Sequence, residues 1–375
     1  MKTALKVRLE PNNKQMSKLF ESAGTARWAY NWTLAKQEEN YKNGGKLKND
    51  GNLRKELTLL KKTDELKWLN GYSNNITKQA VKDACDAYYK FFKGLSEKPK
   101  FKSRRKSPPK FYQDTEKIKF KNGKVRLEKI GWITLSEKER IPEDVKYTNP
   151  RVKFDGGQWY VSVGIEVEHE HIELTNDSIG IDVGLKDMAI CSNIEKPFKN
   201  INKTKKVKKL EKKLRRLQRK VSNKYEKNKE GRSYVKTGNI IKLEKSIRKV
   251  HKKLDNIRTD YRHKVTIEIV KTKPSKIVME NLNISGMMKN KHLSKAIGEQ
   301  GLFKFKTILQ YKSKKYGIEF VEADKWYPSS KTCSECGYVK TKLSLSEREF
   351  KCECCGTVID RDKNASINLS RYKVS

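Results

Sequence analysis

The sequence predicts a multidomain α+β protein. Three observations carry that prediction: period-two apolar runs broken by turn residues from Lys117 to Glu168, three-four apolar spacings on both sides of that stretch, and strands alternating with helices from Ser178 onward. At 375 residues the chain has room for two or three compact units of roughly 100 to 200 residues each. Its 35% hydrophobic content, with 6 Trp, 16 Tyr and 12 Phe, excludes a disordered basic tail.

Leu5, Val7 and Leu9 alternate ahead of Pro11 and read as a first strand; Asn13 then opens a helix with Met16, Leu19, Phe20 and Ala23 on one side. After a polar stretch from Asn40 to Gly51, a second helical block places Ile76, Ala80, Ala84, Ala87, Tyr88 and Phe91 at helical spacing. Lys98 to Lys110, with Pro99, Pro108 and Pro109 among seven Lys or Arg, cannot continue that helix and reads as a basic connector. The next stretch is a small antiparallel β domain, because Asn122-Gly123 and Asp155-Gly156-Gly157 between alternating apolar residues are hairpin signals. It is discontinuous in sequence if the Leu5–Leu9 strand joins its sheet. His169 and His171, at its end, read as linker residues rather than a metal pair, since no third ligand is near in sequence.

From Ser178, Ile179, Ile181 and Val183, then Gly184, then Met188 to Cys191 form a strand pair, with the carboxylate of Asp182 inside an apolar run. A helical hairpin follows. Val207, Leu210, Leu214, Leu217 and Val221 line its first arm, and Ile240, Leu243, Ile247, Val250, Leu254, Ile257 and Tyr261 its second. Ser275–Met279 is a buried-type strand ending on Glu280, Asn281 to Asn290 a polar loop, Leu302 to Lys315 an amphipathic helix, and Ile318–Val321 another strand.

The 86 Lys and Arg against 45 Asp and Glu leave a formal charge of +41, which calls for a polyanionic partner. Spread along the chain rather than gathered in one amphipathic or juxtamembrane cluster, the charge favours nucleic acid over a membrane surface. No run approaches the ~18 apolar residues of a membrane span, and the first residues lack a signal-peptide block. A cytoplasmic, nucleoid-associated protein is expected, and lysine-heavy usage fits a bacterial source. Between Asn202 and Lys264 there are 25 Lys or Arg against 6 Asp or Glu; a soluble helical face usually intersperses both signs. Arg215, Arg216 and Arg219 are therefore candidate phosphate contacts. Asn74, Asn75 and Gln79, at the start of the second helical block, have side chains able to bond an adenine edge, but the same residues suit a helix cap and a solvated helix face.

Seven cysteines are present, five of them in the last 45 residues. Cys333-x-x-Cys336, fifteen intervening residues and Cys352-x-Cys-Cys355 supply the two knuckles of a four-thiolate Zn2+ ribbon. With four protein ligands such a zinc is structural. Cys354 is a fifth thiol one residue too early for the second knuckle and reads as a spectator, with replacement of Cys355 as the alternative. Cys85 and Cys191 stand in apolar contexts and read as buried thiols.

Carboxylates also occur where strands should be apolar: Asp182, Glu280, and the pair Asp360 and Asp362 in DRDKNASINL. Strand-borne acids converging on one sheet edge repel each other unless cations sit between them, and two Mg2+ held by such acids activate water and stabilise the leaving oxygen of a phosphodiester. No GKS/GKT phosphate loop and no H-E-x-x-H occurs, so ATP-driven and zinc-protease chemistry have no support.

IGIDVGLKDMAI, IVMENLNISGM, SSKTCSECG with FKCECCG, and DRDKNASINL closely resemble the TnpB (OrfB) family of transposon-encoded RNA-guided DNA endonucleases, relatives of the type V CRISPR effectors. KVRLEPNNKQ, ARWAYNWTL and GQWYVSVGIEV extend the resemblance over nearly the whole chain. It implies a ribonuclease H-like RuvC nuclease domain (178–328 and 357–375, with a helical hairpin insert at about 202–264), a zinc ribbon (329–356), a wedge-type β domain (1–10 and 111–177) and an inserted helical recognition domain (11–110). It implies Asp182, Glu280 and Asp362 as catalytic acids holding two Mg2+, and favours Asp362 over Asp360. Arg27, Tyr30 and Asn31 match a family-like motif open to nucleic-acid contact or to packing. Ser366 departs from the family pattern, where a small alanine is usual. The implied partners are a guide RNA from the transposon end, with one chain per RNA, and duplex target DNA carrying an adjacent motif. The alternative within the family is a nuclease-dead RNA-guided repressor, which would be expected to have lost acids or ribbon cysteines that this chain keeps. A strand-joining transposase and a structural RNA-binding protein are the alternatives outside it.

Overall fold

The computed structural model describes residues 2–168, 172–344 and 347–373; His169 and His171 lie outside them. The chain divides into two compact units, Met1–Val167 and Glu168–Ser375.

In the first unit β1 (Lys2–Glu10) is followed by α1 (Asn13–Lys42), α2 (Asp50–Leu60) and α3 (Asn74–Phe92), then by β2 (Lys110–Tyr112), β3 (Lys119–Lys121), β4 (Lys124–Leu127), β5 (Gly131–Leu135), β6 (Thr148–Asp155) and β7 (Gln158–Glu166). Asn12 starts α1 with a capping box: its side chain accepts from the Gln15 amide, and Gln15 returns a contact to the Asn12 amide. The seven strands form one sheet in the order β2-β6-β7-β1-β5-β4-β3. β1 does join the later strands, pairing antiparallel with β7 from Lys2↔Glu166 to Leu9↔Trp159. Asn122 (φ 50°) and Gly123 (φ 67°) turn β3 into β4 with positive φ at both central positions, the backbone that matches the twist of a two-residue hairpin. Val7, Leu9 and Trp159 from the sheet share one core with Leu19, Leu34, Ile76 and Ala80 from α1 and α3. Helices and sheet here make a single packed body, and α2 adds Leu53 and Leu57 against Val81 of α3.

The second unit carries β8 (Ser178–Asp182), β9 (Asp187–Cys191), β10 (Phe198–Lys199), α4 (Lys205–Lys227), β11 (Lys229–Glu230), β12 (Ser233–Tyr234), α5 (Gly238–Lys271), β13 (Lys276–Glu280), α6 (Ile284–Met287), α7 (Ser294–Gln300), α8 (Leu302–Lys315), β14 (Glu319–Ala323), β15 (Glu349–Lys351), β16 (Val358–Asp360) and α9 (Arg361–Ser370). Its sheet runs β10-β9-β8-β13-β14, with β8, β13 and β14 parallel and β9 and β10 antiparallel to their neighbours. α4 and α5 form the predicted hairpin around Val207, Val250 and Leu254. The second arm runs unbroken to Lys271, because Val265, Ile269 and Val270 extend its apolar stripe into the sheet's core.

Side-chain alternation decides what each sheet face carries. Ile179, Ile181, Ile277 and Met279 pack with Val265 and Ile269 of α5 and Phe305 and Leu309 of α8. The opposite face holds Gly180 and Val278, with Leu369 of α9 against Val278. Asp182 and Glu280, two residues beyond Gly180 and Val278, fall on the α9 face.

Candidate active site and metal centre

Asp182 and Glu280 are the last residues of adjacent parallel strands, and the pairing of Met279 with Ile181 sets them side by side one step further on. The C-terminal ends of parallel strands are where open α/β sheets place their ligands. Asp362 arrives on the first turn of α9, where the helix dipole favours a carboxylate. Its approach depends on Gly180. A Cβ at that position would run into the Ser366 carbonyl oxygen and the Ser370 amide, and would lie 2.8 Å from Leu369 Cβ, so only glycine lets α9 lie directly on β8. Lys363 fastens the same helix to the sheet, its ammonium donating to the carbonyls of Cys191 (2.9 Å), Ser192 (2.9 Å) and Ile194 (3.2 Å).

Asp182 feels the other two acids. Burial, then the charges of Asp362 and Glu280, hold the Asp182 carboxyl well above the usual carboxylate range, and Arg361 opposes that rise. Burial also raises Glu280. The Arg361 guanidinium pairs with Asp362 at 3.1 Å. A half-buried set of oxygen ligands from two strands and a helix suits a hard divalent cation such as Mg2+, and repulsion among them is what such a cation relieves. Asp360 is exposed and engaged otherwise, its carboxylate accepting from the Asp362 and Lys363 amides at 3.0 Å each as the N-cap of α9.

Among the described residues, the set of possible metal ligands gathered within 4.8 Å of one another is Cys333, Cys336, Cys352 and Cys355. The three acids sit together at longer range. Cys333 and Cys355 sulfurs are 3.6 Å apart, those of Cys336 and Cys352 3.5 Å, and four thiols so placed fit a tetrahedral zinc. Cys354 stands outside the set. Thr357 lies beside Cys355, and its hydroxyl and backbone pull the Cys355 thiol below the usual range, easing the thiolate a metal needs. The ribbon is tied to the acids through α9. Asn364 accepts from the Ser334 amide (2.9 Å) and donates to the Thr332 carbonyl (2.7 Å), and Asn368 donates to the Ser329 (2.8 Å) and Thr332 (2.6 Å) carbonyls.

Arg215, Arg216 and Arg219 are exposed on α4, and Lys206, Lys209, Lys212, Lys213, Arg216 and Lys253 line a groove along the hairpin. The other candidates are partly committed. Gln79 donates to Asp83 (2.8 Å), Asn74 accepts from Lys61 (2.6 Å), and Asn31 exchanges two bonds with the Lys102 backbone, both 2.8 Å. Asn75 is half-buried at the start of α3, and Arg27 is half-buried on α1. Arg361, Lys363 and Asn364 escaped sequence reasoning. A base flanked by two acids in DRDK was the available signal, but charge order alone does not say which group faces which.

The family models matched are described as "Helix-turn-helix domain" over residues 1–46, "Probable transposase" over 161–291 and "Cas12f1-like, TNB domain" over 303–369. A Streptomyces pristinaespiralis protein named "Putative RNA-guided DNA endonuclease" is 30% identical over 371 residues, covering 98% of this chain and 89% of the relative. An Escherichia coli K12 protein named "Putative RNA-guided DNA endonuclease InsQ" is 29% identical over 386 residues, covering 98% and 91%. The chain's fold is similar to that of a Cas12f1 solved in complex with sgRNA and target DNA, at a TM-score of 0.61 and 15% identity over 99% of this chain and 98% of that one. None of the described helices is long and apolar enough to cross a membrane.

Proposed function

The chain belongs to the TnpB (OrfB) family of RNA-guided DNA endonucleases, and from that premise we propose that it holds a guide RNA made from the transposon end, checks a short motif in duplex DNA and cuts the target that pairs with the guide. Guide–target pairing supplies sequence specificity, and protein contacts supply position and the adjacent-motif check. The observation that carries the nuclease reading is the convergence of Asp182, Glu280 and Asp362, from three distant segments, on one face of a mixed sheet at the C-terminal ends of two adjacent parallel strands.

In this reading residues 178–328 and 357–375 are the RuvC nuclease and 329–356 the ribbon, while 1–10 with 111–177 is the wedge domain and 11–110 the recognition domain. Asp182, Glu280 and Asp362 would hold divalent metal, which would supply activation of a water and charge neutralisation at the leaving oxygen. The chain's own part is to hold three carboxylates in register: Asp182 and Glu280 through strand pairing, Asp362 through Gly180, Lys363 and the Asp360 cap. Cys333, Cys336, Cys352 and Cys355 hold the structural zinc, and the exposed arginines Arg215, Arg216 and Arg219 meet phosphates. A nuclease-dead repressor has less support, since all three acids and four cysteines are present.

The test is to purify the protein without nuclease treatment and sequence the RNA that accompanies it. One dominant RNA running from the transposon end into flanking sequence is expected, and a target matching it should be cut in the presence of Mg2+. Asp182→Ala should keep the RNA and lose the cutting. A smear of cellular RNA with no programmable cleavage would overturn the reading.

A further inference from the structure

We propose that the cavity between α1, α3 and the basic connector is a binding site for a single backbone phosphate of the nucleic acid the protein carries. The cavity is about 170 Å3 and is lined by Arg27 of α1, Asp83 of α3, Lys102 of the connector, Lys110 and Tyr112 of β2, and Arg151 of β6. Its charges do not balance. Asp83 is claimed by Arg151, bidentately at 2.7 and 3.1 Å, and by Gln79 at 2.8 Å. Arg27 has no carboxylate partner among the described residues, and Lys110 adds a further cation. Partly buried cations without a counter-ion are costly, and a phosphate is the anion that several convergent cations suit.

The site is also built, in a way that accounts for the run Arg27-Trp-Ala-Tyr30-Asn31. Residues at i, i+3 and i+4 share a helix face, and each of the three does a different job there. Arg27 lines the cavity, and the Tyr30 ring lies under the Lys102 ammonium at 2.9 Å from its centroid. Asn31 clamps the Lys102 backbone in both directions at 2.8 Å. A lysine in a proline-bounded connector is thereby held over the pocket instead of extending into solvent.

Burial, with Lys110 and Arg151 adding to it and Asp83 opposing, pushes Lys102 down to about 7. The other groups facing it are Arg27 from α1 and Tyr30, whose hydroxyl burial pushes up. A bound phosphate favours the charged lysine, so affinity should be highest where Lys102 is protonated and fall as pH rises through about 7.

This rests on the nucleic-acid part of the reading above and not on guided cleavage. The experiment measures binding of a labelled single-stranded RNA and a labelled DNA duplex to the full-length protein across a salt series. The variants are Arg27→Gln, Lys102→Met, and Lys67→Gln as an exposed control. Each pocket variant should weaken one or both probes about three- to tenfold and lower the salt slope by about 0.7 for RNA or 0.9 for duplex DNA, with the control unchanged. The wild type should also bind more weakly at about pH 8 than at about pH 6, a difference that Lys102→Met should remove. Loss confined to RNA assigns the phosphate to the guide, and loss confined to the duplex assigns it to the target. Unchanged slopes and pH dependence for both probes would overturn the proposal. Arg27→Gln, at a half-exposed position, keeps the test valid should Lys102→Met fail to fold. Because any RNA or duplex serves as probe, absence of programmed cutting by the wild type would refute the cleavage reading and leave this result standing.

Discussion

Asp360 caps the helix on which Asp362 rides, accepting the Asp362 and Lys363 amides at 3.0 Å while it stays exposed itself. Two aspartates two residues apart therefore have separate duties. Asp360→Ala should cost about 1 kcal/mol of stability as a lost cap and leave cleavage within a few-fold of wild type. Asp362→Ala should lower cleavage by about two orders of magnitude or more. Single-turnover cutting of a guide-matched duplex, beside thermal unfolding, checks both, and the reverse ranking would make Asp360 the third ligand.

Gly180 tests the seating of α9 on β8. A methyl group there meets helix backbone, the Ser366 carbonyl and the Ser370 amide, which cannot rotate aside as a side chain can. Gly180→Ala should destabilise the second unit by about 1 to 3 kcal/mol and depress cutting by displacing Asp362. Gly184→Ala, in the same motif, meets nothing nearer than the Asp187 carbonyl at 3.6 Å, and its stability should stay within about 0.5 kcal/mol of wild type. Denaturant midpoints for the pair decide it: equal losses would show that the spacing between β8 and α9 is not the constraint.

Much of this architecture was legible because its signals are local. Asn122-Gly123 announced a hairpin, Leu302 to Lys315 a helix with those same bounds, and the cysteine pairs a ribbon. What stayed hidden depends on which face a residue reaches. Asp182 was conspicuous as an acid in an apolar strand, yet only the β8–β13 register puts Glu280 beside it. Arg27, Tyr30 and Asn31 were noticed as a motif, but Lys102, 71 residues beyond Asn31, gives them a common purpose. Where the helical insert gives way to the sheet's own packing is hidden for the same reason, because α5 passes from the hairpin seam to the sheet core without a change of period.

Spacing favours Cys355 over Cys354 as the fourth ligand, and Cys355 is the one whose sulfur lies in the four-thiol cluster. Cys354→Ser should retain about one zinc per chain and wild-type cutting, whereas Cys355→Ser should lose the metal. The loss should reach the acids, because Asn364 and Asn368 of α9 grip the Thr332 carbonyl at 2.7 and 2.6 Å just before the first knuckle. Zinc content by elemental analysis, set against cleavage rate, makes the comparison; a Cys355→Ser protein that keeps zinc and activity would exclude the ligand set.

The acid cluster should weaken the fold that contains it. Asp182 is half-buried beside two other carboxylates, and its raised pKa records the cost of keeping it charged there. Asp182→Asn removes one charge and keeps the shape. In EDTA the variant should therefore melt a few degrees above wild type, a gain of about 1 kcal/mol, while losing cleavage. Adding Mg2+ should reverse the order, since a cation that binds only the folded acids stabilises wild type by mass action and has a broken site in the variant. Thermal unfolding of both proteins with and without Mg2+ reads this directly. An Asn variant that melts below wild type in EDTA would mean that Arg361 already neutralises the cluster, and that the three acids do not need a metal to lie together.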